Sequence, residues 1–219
     1  MWTLEPLSPS QRKSLATAAA TYREQMNDEC RDYLAKRGLN AETVSKFGFG
    51  LVSTAISGHE YLQGRLVIPY IGPRRNVYNL RFRCLRHEDC KAEGCDSKYM
   101  SLPGYPSRVF NVRSLVSAGD SINVTEGELD SVTLEVCGLY SVGIPGVDNM
   151  PAHLSRMLAG FSSITFWADG DEAGRKLASR FMKHVPSART LILCAGEDVN
   201  SVFIKEGRSG IMNLLEDGL

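Results

Sequence analysis

The chain has 219 residues, 43% of them hydrophobic and 23% charged, and its 25 basic and 25 acidic side chains give a formal net charge of zero. This composition suits one or two soluble globular domains with ordinary cores. It offers no run of about 18 apolar residues to span a membrane. The start of the chain, Met1 to Pro6, has no basic region ahead of an apolar one, so a cytoplasmic location is expected.

The first forty-odd residues read as helical. Ser8-Pro9-Ser10 caps an Ala-rich helix from Gln11 to about Met26. A second helix carries Cys30, Tyr33 and Leu34 at helical spacing and ends near Gly38, and Asn40 caps a third over 41–47. The pattern then changes. Arg65 to Ile71 and Val77 to Arg83 read as strands joined by a turn at Gly72-Pro73-Arg74-Arg75-Asn76. On the second strand, alternation puts Tyr78, Leu80 and Phe82 on one face and Asn79, Arg81 and Arg83 on the other. Balanced net charge leaves a nucleic-acid partner open. What matters is segregation: arginines concentrate between Arg65 and Arg113, and the acidic clusters come later. The basic face suits phosphate, or is an ordinary solvated sheet face.

After that strand, Cys84, His87, Cys90 and Cys95 crowd into one short polar stretch. Tetrahedral zinc accepts three Cys and one His, although the spacing is compressed; the alternative is a reduced, solvated loop. Cys30, Cys137 and Cys194 sit in apolar patterns and read as buried thiols.

The C-terminal half alternates strand and helix. Strands are expected at 121–125, 140–144, 163–168 and 189–195, and helices at 128–137, 151–158 and 172–184, with helical patterns to the end. Such alternation implies a mostly parallel sheet with helices on both faces, whose ligands gather at the carboxyl ends of the strands. Glu126-Gly127-Glu128-Leu129-Asp130 and Asp169-Gly170-Asp171-Glu172 lie at two of those ends, and Asp198 follows the last strand. Taken singly, each acid reads as a helix cap. Taken together, carboxylates on neighbouring strand ends repel unless a divalent cation compensates them.

Glu126 after one strand and Asp169-Gly170-Asp171 after another resemble the Toprim domain of primases, topoisomerases and some nucleases. Further segments narrow the likeness to the catalytic core of bacterial-type and phage DNA primases. Gly64-Arg65-Leu66-Val67-Ile68-Pro69 resembles the primase segment in which an Arg precedes an apolar strand ending in Pro. Arg81-Phe82-Arg83 falls where that family has Gly-Gly-Arg, and Lys98-Tyr99-Met100-Ser101-Leu102-Pro103 is similar to its Lys-Tyr-Leu-Asn-Ser-Pro. Tyr33 to Leu39 resembles the helical opening of the core, so the likeness runs from about Cys30 to Gly207. Asp198-Val199-Asn200 is closer to the Asp-x-Asn of phage primase–helicases than to the Asp-Pro-Asp of bacterial primases.

The resemblance implies an α/β chain. A helical lead-in and basic α+β subdomain over 1–115 would precede a Toprim catalytic domain over 116–219. It implies a nucleotidyltransferase that makes short RNA primers from ribonucleoside triphosphates on single-stranded DNA, with Mg²⁺ or Mn²⁺. Glu126, Asp169 and Asp171 would be catalytic metal residues, supported by Asp130 and Asp198. Arg65, Arg83, Lys98 and Arg81 would bind triphosphate or template. No zinc ribbon precedes the core and no helicase segment follows it. A replicative helicase and a separate zinc-ribbon protein are therefore the expected partners. The rival readings are a Toprim nuclease and a non-catalytic nucleic-acid-binding subunit.

Overall fold

The structure, a computed structural model, describes residues 6–86, 90, 97–144 and 153–217. They fall into two compact units that meet in sequence at Pro106 and Ser107. The boundary expected from sequence was 115/116.

The first unit begins with three helices, α1 (Pro9–Glu24), α2 (Asp28–Lys36) and α3 (Ala41–Phe47). Local chemistry sets their ends. Ser8 and Gln11 form a reciprocal capping box with Pro9 in the first turn of α1; Asn27 and Asn40 cap α2 and α3. Gly48, at φ 67°, ends α3 in the left-handed conformation that glycine adopts without strain. The sheet that follows comprises β1 (Gly50–Leu51), β2 (Arg65–Ile71), β3 (Val77–Cys84) and β4 (Tyr99–Ser101), antiparallel in that order. Leu15, Ala18 and Tyr22 of α1, three to four residues apart, pack on Val67, Leu80 and Phe82 to form its core.

The second unit holds α4 (Ser114–Ser117), β5 (Ser121–Thr125), α5 (Glu128–Val136), β6 (Ser141–Gly143), α6 (Leu154–Leu158), β7 (Ser163–Ala168), α7 (Glu172–His184), β8 (Arg189–Ile192) and α8 (Val199–Asp217). The sheet is parallel throughout, in the order β6-β5-β7-β8. The expected strands and helices are present. The first two residues of the helix expected at 151–158 lie outside the described residues, and the last strand is shorter than the expected 189–195. Two apolar clusters hold the sheet: Ile122, Val124, Phe166 and Leu177 with Phe181 in one, Leu134, Trp167, Val202 and Ile211 in the other. The central strands β5 and β7 have matched register, Thr125 opposite Trp167. Glu126 and Asp169 therefore leave the sheet at the same edge. Among the described residues no helix is long and apolar enough to cross a membrane.

Candidate active site

Three close approaches shape the acidic edge. After β7 the chain turns through Asp169-Gly170-Asp171 against the loop that follows β8. The Gly170 amide donates to the Glu197 carbonyl at 2.8 Å, and the Gly196 amide to the Gly170 carbonyl at 3.3 Å. A Cβ at position 170 would lie 1.6 Å from the Cys194 carbonyl oxygen, so only glycine fits. At the start of α7, a Cβ at position 174 would lie 2.3 Å from the Asp169 carbonyl oxygen. These two glycines fix the turn that carries both aspartates.

Each acid has a local job as well. Asp171, exposed, is the N-cap of α7: its Oδ1 accepts the Gly174 amide at 2.7 Å. Asp198 caps α8 by accepting the Ser201 amide at 2.6 Å, while the Ser201 hydroxyl accepts the Asp198 amide at 3.0 Å. Asp130, only 9% exposed in the first turn of α5, accepts the Asn200 amide at 3.2 Å. Asn200 also donates from its side chain to the Thr133 hydroxyl at 3.0 Å. The Asn of the Asp-x-Asn motif thus ties α8 to α5 and seats Asp130, a role its sequence pattern did not reveal. Cap and cluster are both present: one oxygen of each capping carboxylate is used locally.

The cluster is nonetheless electrostatically one object. Burial, then Asp130, Glu126, Asp198 and Asp171, push the Asp169 carboxyl up to about 8. Burial, then Asp171, also raises Glu126. The five acids singled out from sequence therefore meet at Asp169, on which the other four act. Among the described residues no three His, Cys, Asp or Glu side chains gather closely enough to form a ready ligand shell. The donor set still fits Mg²⁺ or Mn²⁺. It consists of hard carboxylate oxygens, and Mg²⁺ keeps several waters and needs only one or two protein carboxylates. With Asp169 raised to about 8, the cluster at neutral pH holds a proton or a cation.

The basic residues lie on the first unit, and their surroundings differ from the open face that alternation suggested. Arg83 and Arg65 are each only 7% exposed, and Asn79 5%. Arg65 donates from Nη1 to the Ser97 carbonyl at 2.8 Å. Arg83 donates to the Tyr99 hydroxyl, and its guanidinium lies 5.0 Å from the Tyr99 ring centre and 5.9 Å from that of Tyr33. Arg81, on the same face as Arg83, lies 5.3 Å from the Tyr99 ring. Lys98 is exposed. Sequence reasoning placed the arginines but missed the two tyrosines. The available signal was Arg37 one helical turn after Tyr33, where its guanidinium lies 5.0 Å from the ring. Of the candidate zinc set, Cys84 and Cys90 are buried, and His87 and Cys95 lie outside the described residues.

No family model matches the chain. The "Gene 57 protein" of Mycobacterium phage D29 is 35% identical over 152 residues, 68% of this chain and 97% of that protein. The DNA primase of Neisseria meningitidis serogroup A is 29% identical over 193 residues, 72% of this chain and 32% of the primase. The chain thus spans about a third of the length of the curated DNA primases it matches. Among solved structures, the zinc-binding and RNA polymerase domains of the Aquifex aeolicus primase superpose with a TM-score of 0.80 at 18% identity, over 99% of this chain and 63% of that one. A DnaG primase catalytic domain bound to single-stranded DNA superposes with a TM-score of 0.75 at 21% identity, over 94% and 80%. On this likeness, and with Glu126 and Asp169-Gly170-Asp171 at the strand ends of the shared Toprim-type fold, the chain belongs to the family of the phage Gene 57 protein and has the fold of the bacterial-type DNA primase core.

Proposed function

We propose that this protein is the catalytic core of a DNA primase, joining ribonucleotides into short primers on a single-stranded DNA template. The observation that carries the reading is the carboxylate cluster at the ends of β5 and β7, where Asp169 is held up to about 8 by burial and four neighbouring acids. A fold keeps such a cluster when a cation completes it. Mg²⁺ or Mn²⁺ would be held by Asp169, Asp171 and Glu126, with Asp130 and Asp198 orienting its waters. The bound cation supplies charge neutralisation at the transferring phosphate and lowers the pKa of the attacking oxygen.

The chain's own groups account for the rest. In the reaction, a 3′-hydroxyl attacks the α-phosphate of a ribonucleoside triphosphate and pyrophosphate leaves. Glu126, its carboxyl raised by burial and by Asp171, would either hold the cation or act as the general base that takes the hydroxyl proton. Arg83, Arg65, Arg81 and Lys98 would bind triphosphate or template backbone, because a guanidinium matches phosphate oxygens with paired donors. The primase domain solved with single-stranded DNA supports that template class. The Mycobacterium phage relative supports a phage origin.

A replicative helicase and a separate zinc-ribbon protein complete the proposal as partners, and Cys84, His87, Cys90 and Cys95 as a structural zinc site. Metal analysis of the purified protein, with and without Cys90→Ser, tests the last. The central test supplies single-stranded template, ribonucleoside triphosphates and Mg²⁺ or Mn²⁺. RNA products of two or more nucleotides are expected. Cleaved DNA without RNA products would replace the primase reading with that of a Toprim nuclease.

A further inference from the structure

The charge on Arg83 is handled in an unusual way. Its residue is 7% exposed, and its Nε is buried without a hydrogen-bond partner among the described residues. Among the described residues no carboxylate pairs with it; its neighbours are the phenol groups of Tyr99 and Tyr33. Removing a guanidinium from water without an anion costs several kcal/mol. A carboxylate would offset that cost, but it would also neutralise the charge and compete with any incoming phosphate. An aromatic face offsets part of the cost and leaves the charge intact.

We propose that Tyr33 and Tyr99 are positioning residues that clamp the Arg83 guanidinium between their rings, desolvated, oriented and unneutralised, so that a phosphate group of template or triphosphate supplies its missing anion. The placement has three parts. Tyr99 on β4 faces its partner Arg83 directly across the β3–β4 ladder, and its hydroxyl oxygen accepts a hydrogen bond from Arg83 Nη1. Tyr33 comes from α2, its ring centre 5.9 Å from the guanidinium and its own hydroxyl buried and without a hydrogen-bond partner among the described residues. The same rings also carry Arg81, 5.3 Å from Tyr99, and Arg37, 5.0 Å from Tyr33. The result is an alternating series of cation and ring.

The inference rests on reading Arg83 as a phosphate contact, and the test separates the two. Binding of a labelled single-stranded oligonucleotide is measured by anisotropy across a salt series. The KM for ribonucleotide is measured at saturating template, and melting temperature serves as a folding check. Arg83→Gln should weaken one of the two. Template contact lowers DNA affinity and reduces the salt slope by about 0.7. Triphosphate contact raises KM and leaves DNA affinity alone. Tyr99→Leu and Tyr33→Leu should weaken the same quantity about 3- to 30-fold, the span of a desolvated cation–π contact. Tyr33→Phe should retain it. The sharpest variant is Tyr33→Glu. It gives Arg83 an internal anion, so it should weaken phosphate binding at least as much as Tyr33→Leu without lowering the melting temperature. If Arg83→Gln changes neither quantity, the phosphate reading of Arg83 falls. If Arg83→Gln weakens binding while Tyr33→Glu and both Leu variants match the parent, that reading stands and the clamp is overturned.

Discussion

The two units of this protein treat buried charge in opposite ways. In the parallel-sheet unit, carboxylates gather on strand ends, and no described basic side chain counteracts their effect on Asp169. In the antiparallel unit, a buried guanidinium is set against two aromatic rings. A carboxylate cannot be quieted by a ring face, whose quadrupole is negative, whereas a cation can. The acidic unit therefore depends on something from outside, a proton or a metal ion, and the basic unit can hold its charge ready with parts of its own.

The largest way to break this contrast is to remove the acid at its centre. Asp169→Asn is expected to reduce primer synthesis on the order of 10²–10³-fold or more in a ribonucleotide-incorporation assay, because it removes a charge from the proposed cation site while leaving the turn's shape. The same substitution should act on stability in the opposite direction. Without divalent cation the variant should melt higher than the parent at neutral pH, since it removes a buried carboxylate that the parent must otherwise neutralise by taking up a proton or a cation. An equal or lower melting temperature would mean that the cluster carries no repulsive cost.

The pH dependence sharpens the point. The folded-state pKa of Asp169, about 8, lies above the value of about 4 for an unfolded aspartate. The folded protein therefore binds the extra proton. That contribution is fully present below about pH 4 and is lost as pH rises through 8. Metal-free protein should lose stability between pH 5 and pH 8, on the order of a few kcal/mol. Mg²⁺ should restore most of it, and Asp169→Asn should flatten the curve. Thermal melts at four or five pH values, with Mg²⁺ or chelator, check all three.

A smaller effect comes from the turn itself. Gly170→Ala puts a methyl 1.6 Å from the Cys194 carbonyl oxygen, so the turn or the loop after β8 must move. A loss of about 1–3 kcal/mol is expected from denaturant unfolding, together with reduced activity, because Asp169 and Asp171 flank the displaced residue.

Much of this was legible beforehand, for identifiable reasons. β5, β7 and α7 keep the bounds expected of them, because β-branched apolar runs follow glycine-containing segments and end at acidic, glycine-containing turns. The acids could be grouped because a parallel sheet places successive strand ends on one edge. The strand order β6-β5-β7-β8 could not be read, since nothing local specifies which strands are central. Nor could the burial of Arg83: alternation assigns a residue to a face but does not say what covers that face, and here the cover comes from Tyr99 and from Tyr33 in a separate helix. Asn200 was noticed only as a departure from a motif. Its partner Asp130 is 70 positions away, beyond the reach of any sequence window.

The smallest expected effect tests whether the acids at the edge of the cluster are caps, ligands or both. Asp198 accepts the Ser201 amide at 2.6 Å, so Asp198→Ala should cost about 1 kcal/mol through the lost cap of α8. Asp198→Asn keeps an oxygen for that amide and should cost less, yet it removes the same negative charge from beside Asp169. If Asp198 only caps, the Asn variant should match the parent in both stability and Mg²⁺ requirement. If it also belongs to the cation site, the Asn variant should fold normally and need more Mg²⁺ for half-maximal activity. The Ala variant should then show the two losses together. A Mg²⁺ titration of both variants, beside their unfolding curves, separates the helix's use of this carboxylate from the cluster's.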